Sequence, residues 1–282
     1  MKQINNIIEA RDVIADLKYK KQKIALVPTM GALHDGHLSL INKGKQIADK
    51  VIVSIFVNRQ QFNDKSDFDK YPRNLRDDLL KLSKANTDFV FTPDDKDIYK
   101  DKPLINIDTS YLANCLCGIS RSGHFAGVCL IVSKLFNIIN PDFAIFGEKD
   151  FQQLQIIRRL VTDLSFSTKI ISQPTLRQKD GLAISSRNIL LNDEDRKNAA
   201  QIYTILSNVR NILLKDKESD LSFIIQNAKK ELIRIGFDKI DYLEVRQEEN
   251  LQLIESFDPY IKSRIFFAGF LRNVRLIDNI NL

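Results

Sequence analysis

The sequence predicts an α/β protein, in which a parallel sheet covered by helices on both faces is followed by a smaller α+β domain. Short apolar segments that end in Pro, Asn or Gly have the length and composition of buried strands. Helical patterns lie between most of them, and this alternation is typical of parallel sheets with right-handed crossovers. The predicted strands are residues 23–29, 51–58, 88–93, 142–147 and 168–175.

The clearest helical pattern in the sequence follows Gly127. Apolar residues recur there at helical spacing, and Asn140-Pro141 is expected to end the helix. The apolar face of this predicted helix consists of Val128, Ile131, Val132, Leu135, Phe136 and Ile139.

The pattern changes after Pro174. Residues 191–214 open with an asparagine cap and an acidic first turn, and residues 219–236 open with Ser and close with Gly, so both are predicted to be amphipathic helices. Residues 241–247 and 264–282 have the composition of strands, which we expect to form a small separate sheet.

This change of pattern predicts a domain boundary near residue 175, in the linker QPTLRQKDG. We therefore expect two domains, residues 1–175 and residues 176–282.

Composition narrows the possible functions. With 282 residues and 44% hydrophobic content, the chain can bury a substantial core. The 42 Lys and Arg against 36 Asp and Glu give a net charge of +6, a mild surplus that suits phosphorylated ligands better than a nucleic acid. The first residues lack the features of a signal peptide, and no apolar run is long enough to span a membrane. Three cysteines make no disulfide framework and favour the cytoplasm.

Glycine and histidine are concentrated together. Only ten glycines occur, yet six of them fall in four segments that also hold every histidine. Because glycine at a strand-to-helix turn lets the backbone approach a phosphate, we interpret these segments as parts of one site. The six glycines are Gly31, Gly36, Gly123, Gly127, Gly147 and Gly181.

The segment VPTMGALHDGHLSLI, residues 27–41, predicts a strand, a turn and a helix that starts near His37. This places His34 and His37 beside a helix amino terminus, where unpaired N–H groups and imidazole donors attract an anion. Two alternatives stay open. The histidines could only cap the helix, or His-x-x-His could bind zinc, although no third ligand is adjacent. A zinc cluster of Cys115, Cys117, His124 and Cys129 is a further possibility.

The sequence HDGH on a strand–loop–helix resembles the HIGH-type motif of the nucleotidyltransferase superfamily, and PTMGALHDGHLSL is similar to the pantothenate synthetase (pantoate:β-alanine ligase) family. Further segments resemble that family in order and spacing, so the resemblance covers nearly the whole chain. These segments are FVNRQQF (56–62), DFDKYPRNLRDD (67–78), SRSGHFAGV (120–128), FGEKDFQQLQIIRR (146–159), LRQKDGLAISSRN (176–188) and RLIDN (275–279).

The resemblance implies a Rossmann-like domain of the nucleotidyltransferase type that binds nucleotide and pantoate, with the carboxyl-terminal domain as a lid. It also implies a reaction in two steps. ATP and pantoate would give pantoyl adenylate and pyrophosphate with Mg²⁺, and β-alanine would then displace AMP to give pantothenate. The expected partners are these small molecules and a second copy of the chain in a homodimer, with no nucleic acid and no membrane.

The resemblance also assigns residues. His37, His34, Lys149 and Arg187 would be catalytic, Gln61, Gln153 and Asn58 would bind pantoate, and Asp78 and Asp77 would lie near magnesium. The ATP site would comprise Met30, Gly31, Ala32, Leu33, His34, Asp35, Gly36, His37, Gly147, Glu148, Lys149, Asp150, Leu176, Ile184, Ser185, Ser186 and Arg187.

The sequence departs from the family pattern at a few positions. Arg59-Gln60 stands where the family usually has Pro-Met, which changes the corner before Gln61, and Ser122 and Ile184 replace the commoner proline and methionine. Two rival functions are a nucleotidylyltransferase of the same superfamily and a basic RNA-binding module. The neutral amides of Gln61 and Gln153 argue against the first because a phosphorylated acceptor would call for Arg or Lys. The second leaves the glycine and histidine clustering unexplained.

Overall fold

The structure is a computed structural model that describes residues 1–63, 68–69 and 71–282. Two positions of the DFDKYPRNLRDD segment, Asp67 and Lys70, therefore lie outside the described residues. The chain forms two compact units. The first unit consists of Met1–Ser110, Arg121–Glu148 and Ile156–Pro174, and the second of Tyr111–Ser120, Lys149–Gln155 and Thr175–Leu282.

The first unit contains a six-stranded sheet in which every strand pair is parallel, with helices alternating along the chain. The strand order is β1-β4-β3-β2-β5-β6. All five predicted strands are present, so the predicted α/β class is confirmed. The first strand was not predicted because Lys2 and Gln3 are polar and exposed, so that its sequence KQI has no apolar pattern. The strands are β1 (Lys2–Ile4), β2 (Ile24–Thr29), β3 (Lys50–Ile55), β4 (Phe89–Phe91), β5 (Phe143–Gly147) and β6 (Lys169–Gln173).

The strand order reverses at β2, which lies between β3 and β5. The chain runs outward from β2 through β3 and β4 on one side, and through β5 and β6 on the other. In open parallel sheets, such a switch point leaves a crevice at the carboxyl ends of the two central strands, where ligands bind. Here those ends are Thr29 and Gly147.

Aspartates at the starts of strands hold the register of this sheet. Asp49 accepts a hydrogen bond from the backbone N–H of Lys23 at 2.7 Å, and Asp88 accepts one from Val51 at 2.9 Å. Asp142 likewise accepts from Ile24 N–H at 2.9 Å. Each carboxylate thus satisfies a donor at the entry of the neighbouring strand, which a one-residue slip would leave unpaired.

The helices around this sheet begin and end at recognisable signals. Asn6 caps the first helix. The helix predicted after Gly127 begins earlier, at His124, and its end at Asn140-Pro141 is confirmed; the C-cap residue Asn140 has a left-handed φ of 45°. The helices are α1 (Ile7–Tyr19), α2 (Asp35–Ile47), α3 (Leu75–Lys84), α4 (Asp95–Ile98), α5 (Ser110–Ala113), α6 (Cys117–Ser120), α7 (His124–Ile139) and α8 (Phe151–Asp163).

The second unit packs two helices, α9 (Asp193–Lys215) and α10 (Leu221–Arg234), with an antiparallel sheet around its own apolar core. Asn192 caps α9 as predicted. The prediction that Ser219 opens the next helix is wrong, because the carboxylate of Asp220 accepts the N–H of Phe223 and caps it instead. The sheet consists of β7 (Lys239–Gln247), β8 (Ser263–Leu271) and β9 (Val274–Asn281) in that order, which confirms the predicted small sheet.

Among the described residues, no helix combines the length and the apolar character needed to cross a membrane.

Candidate active site

The loop after β2 carries the HDGH motif at the switch point of the parallel sheet. Two consecutive residues of this loop have a left-handed backbone, Gly31 with φ 80° and Ala32 with φ 50°. At Gly31 a side chain is also sterically excluded, because a Cβ atom would lie 2.9 Å from Asp78 Oδ2. The left-handed alanine was not apparent from the sequence, since alanine rarely adopts this conformation.

The carboxylate of Asp78, in α3, holds this loop. Its Oδ2 accepts the N–H of Ala32 at 2.9 Å and its Oδ1 accepts the N–H of Leu33 at 2.7 Å. Lys81, one turn further along the helix, donates to the carbonyl of Leu33 at 2.6 Å. Asp78 is only 2% exposed, so these bonds satisfy a buried charge. Residues of α3 thereby bind both N–H groups and a carbonyl oxygen of the left-handed loop, which fixes its backbone.

His34 and His37 lie in the first turn of α2. His34 is the N-cap residue, and its backbone N–H donates to Nδ1 of His37 at 3.3 Å. The two rings pack together with centroids 4.0 Å apart and planes tilted by 32°. Because Nδ1 of His37 accepts a hydrogen bond, the ring proton resides on Nε2. Helix capping and anion binding, which are alternatives in the sequence, are therefore compatible. The capping bond uses Nδ1 of His37 and leaves Nε2 as the donor for an anion.

The loop after β3 presents Gln61 in a buried network. The side chain of Asn58 donates to Gln61 Oε1 at 3.1 Å and to the carbonyl of Gly127 at 3.0 Å. Gln61 Nε2 in turn lies 2.9 Å from the sulfur of Met30. The side-chain oxygen Oδ1 of Asn58 also accepts from the Tyr99 hydroxyl at 2.9 Å. Asn58 therefore orients Gln61, while its own amide group is engaged within the protein.

Tyr99 remains a donor in this network. Burial, assisted by the negative charge of Asp95, raises the pKa of the Tyr99 hydroxyl, so that the phenol stays protonated.

Two glycines of the predicted site have different surroundings. A Cβ atom at Gly127 would lie 2.2 Å from the carbonyl oxygen of Gln60, so this glycine allows α7 to contact the loop of residues 58–61. The close approach that it permits is to the protein itself. At Gly147 a Cβ atom would meet only Leu40, at 3.9 Å. As far as the described residues show, the backbone at Gly147 therefore has space beside it, at the switch point where open parallel sheets bind nucleotides.

The GEKD segment follows β5 as a 3-10 turn of Glu148–Asp150. In the second unit, the carbonyl oxygen of Lys149 accepts a hydrogen bond from Asn279 Nδ2 at 2.9 Å. Asn279 belongs to the RLIDN segment, so the structure gives that family-like segment a role in fixing the backbone at Lys149. The side chain of Lys149 is partly exposed and that of Asp150 is exposed.

Gln153 and Gln152 are adjacent in the first turn of α8 but differ in burial. Gln153, predicted from the family resemblance, is partly exposed, whereas Gln152 is 5% exposed. Gln152 donates to the carbonyls of Leu112 and Cys115, both at 2.8 Å, and accepts from Cys117 N–H at 3.0 Å. Gln152 therefore has a structural function that the sequence did not indicate.

The segment of residues 176–188 forms a small antiparallel bridge in the second unit. Ile184 N–H donates to the carbonyl of Leu176 at 3.0 Å, and Arg177 pairs with Asp278 at 2.6 Å. Ser185 then caps a 3-10 turn, Ser186–Leu190, by accepting the N–H of Arg187 at 3.3 Å. The predicted phosphate loop is thus also a capping turn, and its end carries the hydroxyl of Ser186 and the guanidinium of Arg187.

The predicted site residues fall into two groups. The first unit brings together Met30 through His37 with Asn58, Gln61 and Asp78, and Gly147 ends the strand next to β2. The second unit holds Lys149, Asp150, Gln153, Leu176 and Ile184 through Arg187.

The acidic pair on α3 offers unequal groups to a metal. Asp78 uses both carboxylate oxygens on the loop, whereas Asp77 is exposed and accepts from Asn74 Nδ2 at 2.6 Å. Within the described ranges, no three or more His, Cys, Asp or Glu side chains converge as a metal site. Cys115, Cys117 and Cys129 are free and buried, and burial raises the pKa of Cys129 to about 12. Cys129 is therefore an inert core thiol.

A parallel sheet that carries a loop with glycine and histidine at its switch point is typical of nucleotide-binding α/β proteins. Comparison with known proteins agrees and is more specific. Residues 2–281 match the family described as Pantoate-beta-alanine ligase, and the chain belongs to this family.

Individual relatives are similar over their whole length. A pantothenate synthetase of Thermosipho africanus is 42% identical over 279 residues, which are 99% of each chain. The crystal structure of a pantothenate synthetase from Thermus thermophilus has a TM-score of 0.91 at 33% identity and 99% coverage of both chains. That of the Francisella tularensis pantoate-beta-alanine ligase, complexed with beta-gamma ATP and beta-alanine, has a TM-score of 0.82 at 40% identity and covers 100% of this chain and 97% of that one.

Proposed function

We propose that the protein condenses pantoate with β-alanine at the expense of ATP and releases AMP and pyrophosphate. The observation that carries the proposal is the family match over residues 2–281, supported by the relative that binds an ATP analogue and β-alanine. The geometry of the first unit supports the same conclusion, because its switch point combines an open glycine with two histidines at a helix amino terminus.

The reaction proceeds through an acyl adenylate. A carboxylate oxygen of pantoate attacks the α-phosphorus of ATP, a new P–O bond forms, and the bond to the pyrophosphate oxygen breaks. The amine of β-alanine then attacks the acyl carbon, loses a proton, and displaces AMP. The first step brings two anions together, so its rate depends on donors and cations placed around the phosphates.

The first unit supplies donors for this step. His37, with its proton on Nε2, donates to an oxygen that gains charge as the α-phosphorus is attacked, and His34 acts beside it. The left-handed turn at Gly31 and Ala32 shapes the backbone for the nucleotide, together with Met30, Leu33, Asp35 and Gly36. Gly147 lets the backbone lie against the nucleotide, and Glu148 follows it.

The second unit supplies cations and hydroxyls. Lys149 and Arg187 neutralise the leaving pyrophosphate, and Ser185 and Ser186 add hydroxyl donors. Asp150 accepts from the ribose hydroxyls. Leu176 and Ile184, which are joined by a backbone hydrogen bond, contribute apolar contacts to the nucleotide. In this proposal residues 1–175 bind nucleotide and pantoate, and residues 176–282 serve as the lid that excludes water from the adenylate.

Pantoate carries a carboxylate and hydroxyl groups, which neutral amides recognise because an amide both donates and accepts. Gln61 and Gln153 are the proposed ligands. Asn58 contributes by holding Gln61, since its own side-chain amide is already bonded to Gln61 and Gly127. This role differs from the direct substrate contact expected from the resemblance.

Magnesium and a homodimer are further parts of the proposal that come from the resemblance, and a cytoplasmic location is a part that comes from the cysteine content. Mg²⁺ typically keeps several waters and uses one or two carboxylates with the phosphates, which fits an exposed Asp77 better than Asp78. Bound there, the ion would neutralise phosphate charge. Light scattering of the purified protein tests the homodimer. A homodimer would have a molar mass about twice the 32.4 kDa of one chain.

The product assay tests the proposal against its closest rival. Purified protein is incubated with ATP, Mg²⁺, pantoate and β-alanine, and the products are identified by mass spectrometry. The proposal predicts pantothenate and AMP in equal amounts, and neither when pantoate is omitted. A nucleotidylyltransferase would instead leave a stable nucleotide adduct of a phosphorylated acceptor, and an adduct of that kind without pantothenate would refute the proposal.

A further inference from the structure

His124, the first residue of α7, contacts a different group with each of its two ring nitrogens. Its Nδ1 lies 2.7 Å from the backbone carbonyl oxygen of Gln61, and its Nε2 lies 2.9 Å from a guanidinium nitrogen of Arg121. The side chain is only 6% exposed. Neither the reaction scheme nor the assigned site residues use this histidine.

The partners of His124 determine its protonation state. An arginine guanidinium can only donate hydrogen bonds, so Nε2 of His124 must accept. The ring proton is therefore on Nδ1, which donates to the carbonyl oxygen of Gln61. Arg121 thus selects the neutral tautomer of His124 that can donate to the backbone of the loop of residues 58–61. In metal sites, a second hydrogen bond to a ligating histidine fixes its tautomer in the same way.

The bond from His124 completes the restraints on Gln61. Asn58 fixes the side-chain oxygen of Gln61 and at the same time binds the carbonyl of Gly127 in α7. The backbone of Gln60 approaches Gly127 so closely that a Cβ atom there would lie 2.2 Å from the Gln60 oxygen. The first turn of α7 therefore sets the position of both the main chain and the amide group of Gln61.

We propose that His124 is a positioning residue for pantoate and that Arg121 supports it by fixing its tautomer. This inference rests on the proposed role of Gln61 in binding pantoate. His124 does not touch the substrate. It acts through the Gln61 carbonyl, and loss of that bond lets the loop shift and weakens the hydrogen bonds from the Gln61 amide to the substrate hydroxyls.

A matched pair of variants tests the inference. The amide of asparagine superimposes on Nδ1 of histidine, so His124→Asn keeps a donor for the Gln61 carbonyl. The longer glutamine can place its side-chain oxygen at the position of Nε2, where it accepts from Arg121, so His124→Gln keeps the contact with Arg121 and loses the bond to Gln61. We expect KM for pantoate to rise about tenfold in His124→Gln, the value of one ordinary hydrogen bond, and to change by less than about threefold in His124→Asn. KM for ATP should stay the same in both.

Other outcomes distinguish a failure of the role inferred for His124 from a failure of the pantoate-binding role proposed for Gln61. If both variants change the two KM values equally and in step with thermal stability, His124 is merely structural and the inference is wrong. Gln61→Ala provides the reference. If it leaves KM for pantoate unchanged, the proposed role of Gln61 fails. If it raises KM for pantoate while His124→Gln does not, only the inference fails.

NMR spectroscopy of the wild-type protein tests the tautomer of His124 even if the His124 variants do not fold. The ¹⁵N spectrum of the wild-type protein should show His124 with a protonated Nδ1 and an unprotonated Nε2. The variant Arg121→Met should lose this tautomer preference and raise KM for pantoate, while Arg121→Lys, which retains a donor, should restore both. A proton on Nε2 in the wild-type protein would overturn the assignment.

Discussion

The backbone N–H of Leu33 donates to Oδ1 of Asp78 at 2.7 Å, across 45 positions of the chain. The neighbouring N–H of Ala32 donates to the other oxygen of the same carboxylate. The acidic residue on α3 thus stabilises the left-handed turn that precedes the HDGH motif. This relationship ties the geometry of the proposed nucleotide-binding loop to Asp78, and it separates the two members of an acidic pair that look equivalent in the sequence.

The first prediction concerns this carboxylate. Asp78→Asn replaces one acceptor with an amide that faces a backbone donor, so we expect a loss of about 1–3 kcal/mol in the free energy of unfolding. KM for ATP should rise in parallel because the loop is no longer held. Asp77→Asn, on the exposed face of the same helix turn, is the control and should cost less than about 1 kcal/mol.

Denaturant unfolding and the Mg²⁺ dependence of the rate measure these effects. If Asp78→Asn keeps full stability but requires much more Mg²⁺, Asp78 is a metal ligand and the structural role is wrong.

The second prediction separates capping from catalysis at His37. His37→Asn keeps an acceptor near Nδ1 for the His34 N–H and removes the Nε2 donor, so kcat should fall about 10²–10³-fold with little change in stability. His37→Gln keeps a group near Nε2 and removes the cap, so it should lose about 1 kcal/mol of stability and retain more activity. Initial rates and thermal unfolding of both variants give the comparison. The opposite ranking of the two rates would contradict the assigned role.

The third prediction concerns the cations of the second unit. Lys149→Met and Arg187→Met should each lower the rate of adenylate formation at least about 10²-fold, because each removes positive charge from the leaving pyrophosphate. Both residues lie in turns outside the apolar core, so the free energy of unfolding should change by about 0.5 kcal/mol or less. A large loss of thermal stability, with normal rates in the folded fraction, would instead identify these side chains as structural.

The fourth prediction concerns stability as a function of pH. Burial would raise the pKa of Asp142, but the Ile24 N–H and the ammonium groups of Lys18 and Lys23 outweigh it and lower the pKa below its ordinary value. A lowered folded-state pKa stabilises the protein above the unfolded-state pKa of about 4, and this contribution disappears as the pH falls through the folded-state value.

Asp142→Asn should therefore be less stable than the wild type by about 1 kcal/mol at pH 7, and the difference should shrink below pH 4. Unfolding curves at pH 7, 5 and 3 provide the test. A difference that grows on acidification would have the wrong sign for this account.

The sequence predicted the secondary structure elements, whose patterns extend over several residues, better than the contacts that depend on a single side chain. Buried strands and capped helices have patterns several residues long, so the parallel sheet and the small antiparallel sheet could be predicted. Strand β1 has one buried apolar residue, Ile4, and therefore no such pattern. The sequence also could not reveal which way Asp78 faces, because an acidic pair at a helix start is compatible with solvent, metal or a neighbouring loop.

The positions of the motif residues were predicted better than their bonds. The two histidines and Gly31 lie on the expected strand–loop–helix. The roles of Gln61 and Lys149, which the family resemblance implies, stay predictions. The buried amide of Gln152 and the bond from His124 depend on contacts between residues that are distant in the chain. Such contacts leave no local pattern in a single sequence. The strand-entry aspartates were missed for the same reason.

The most direct test of the central claim is pyrophosphate exchange. The protein is incubated with ATP, Mg²⁺ and labelled pyrophosphate, in the absence of β-alanine, with and without pantoate. Reversible formation of an enzyme-held pantoyl adenylate predicts label in ATP only when pantoate is present. Exchange that proceeds equally well without pantoate, or no exchange in an enzyme that makes pantothenate when β-alanine is added, would contradict it.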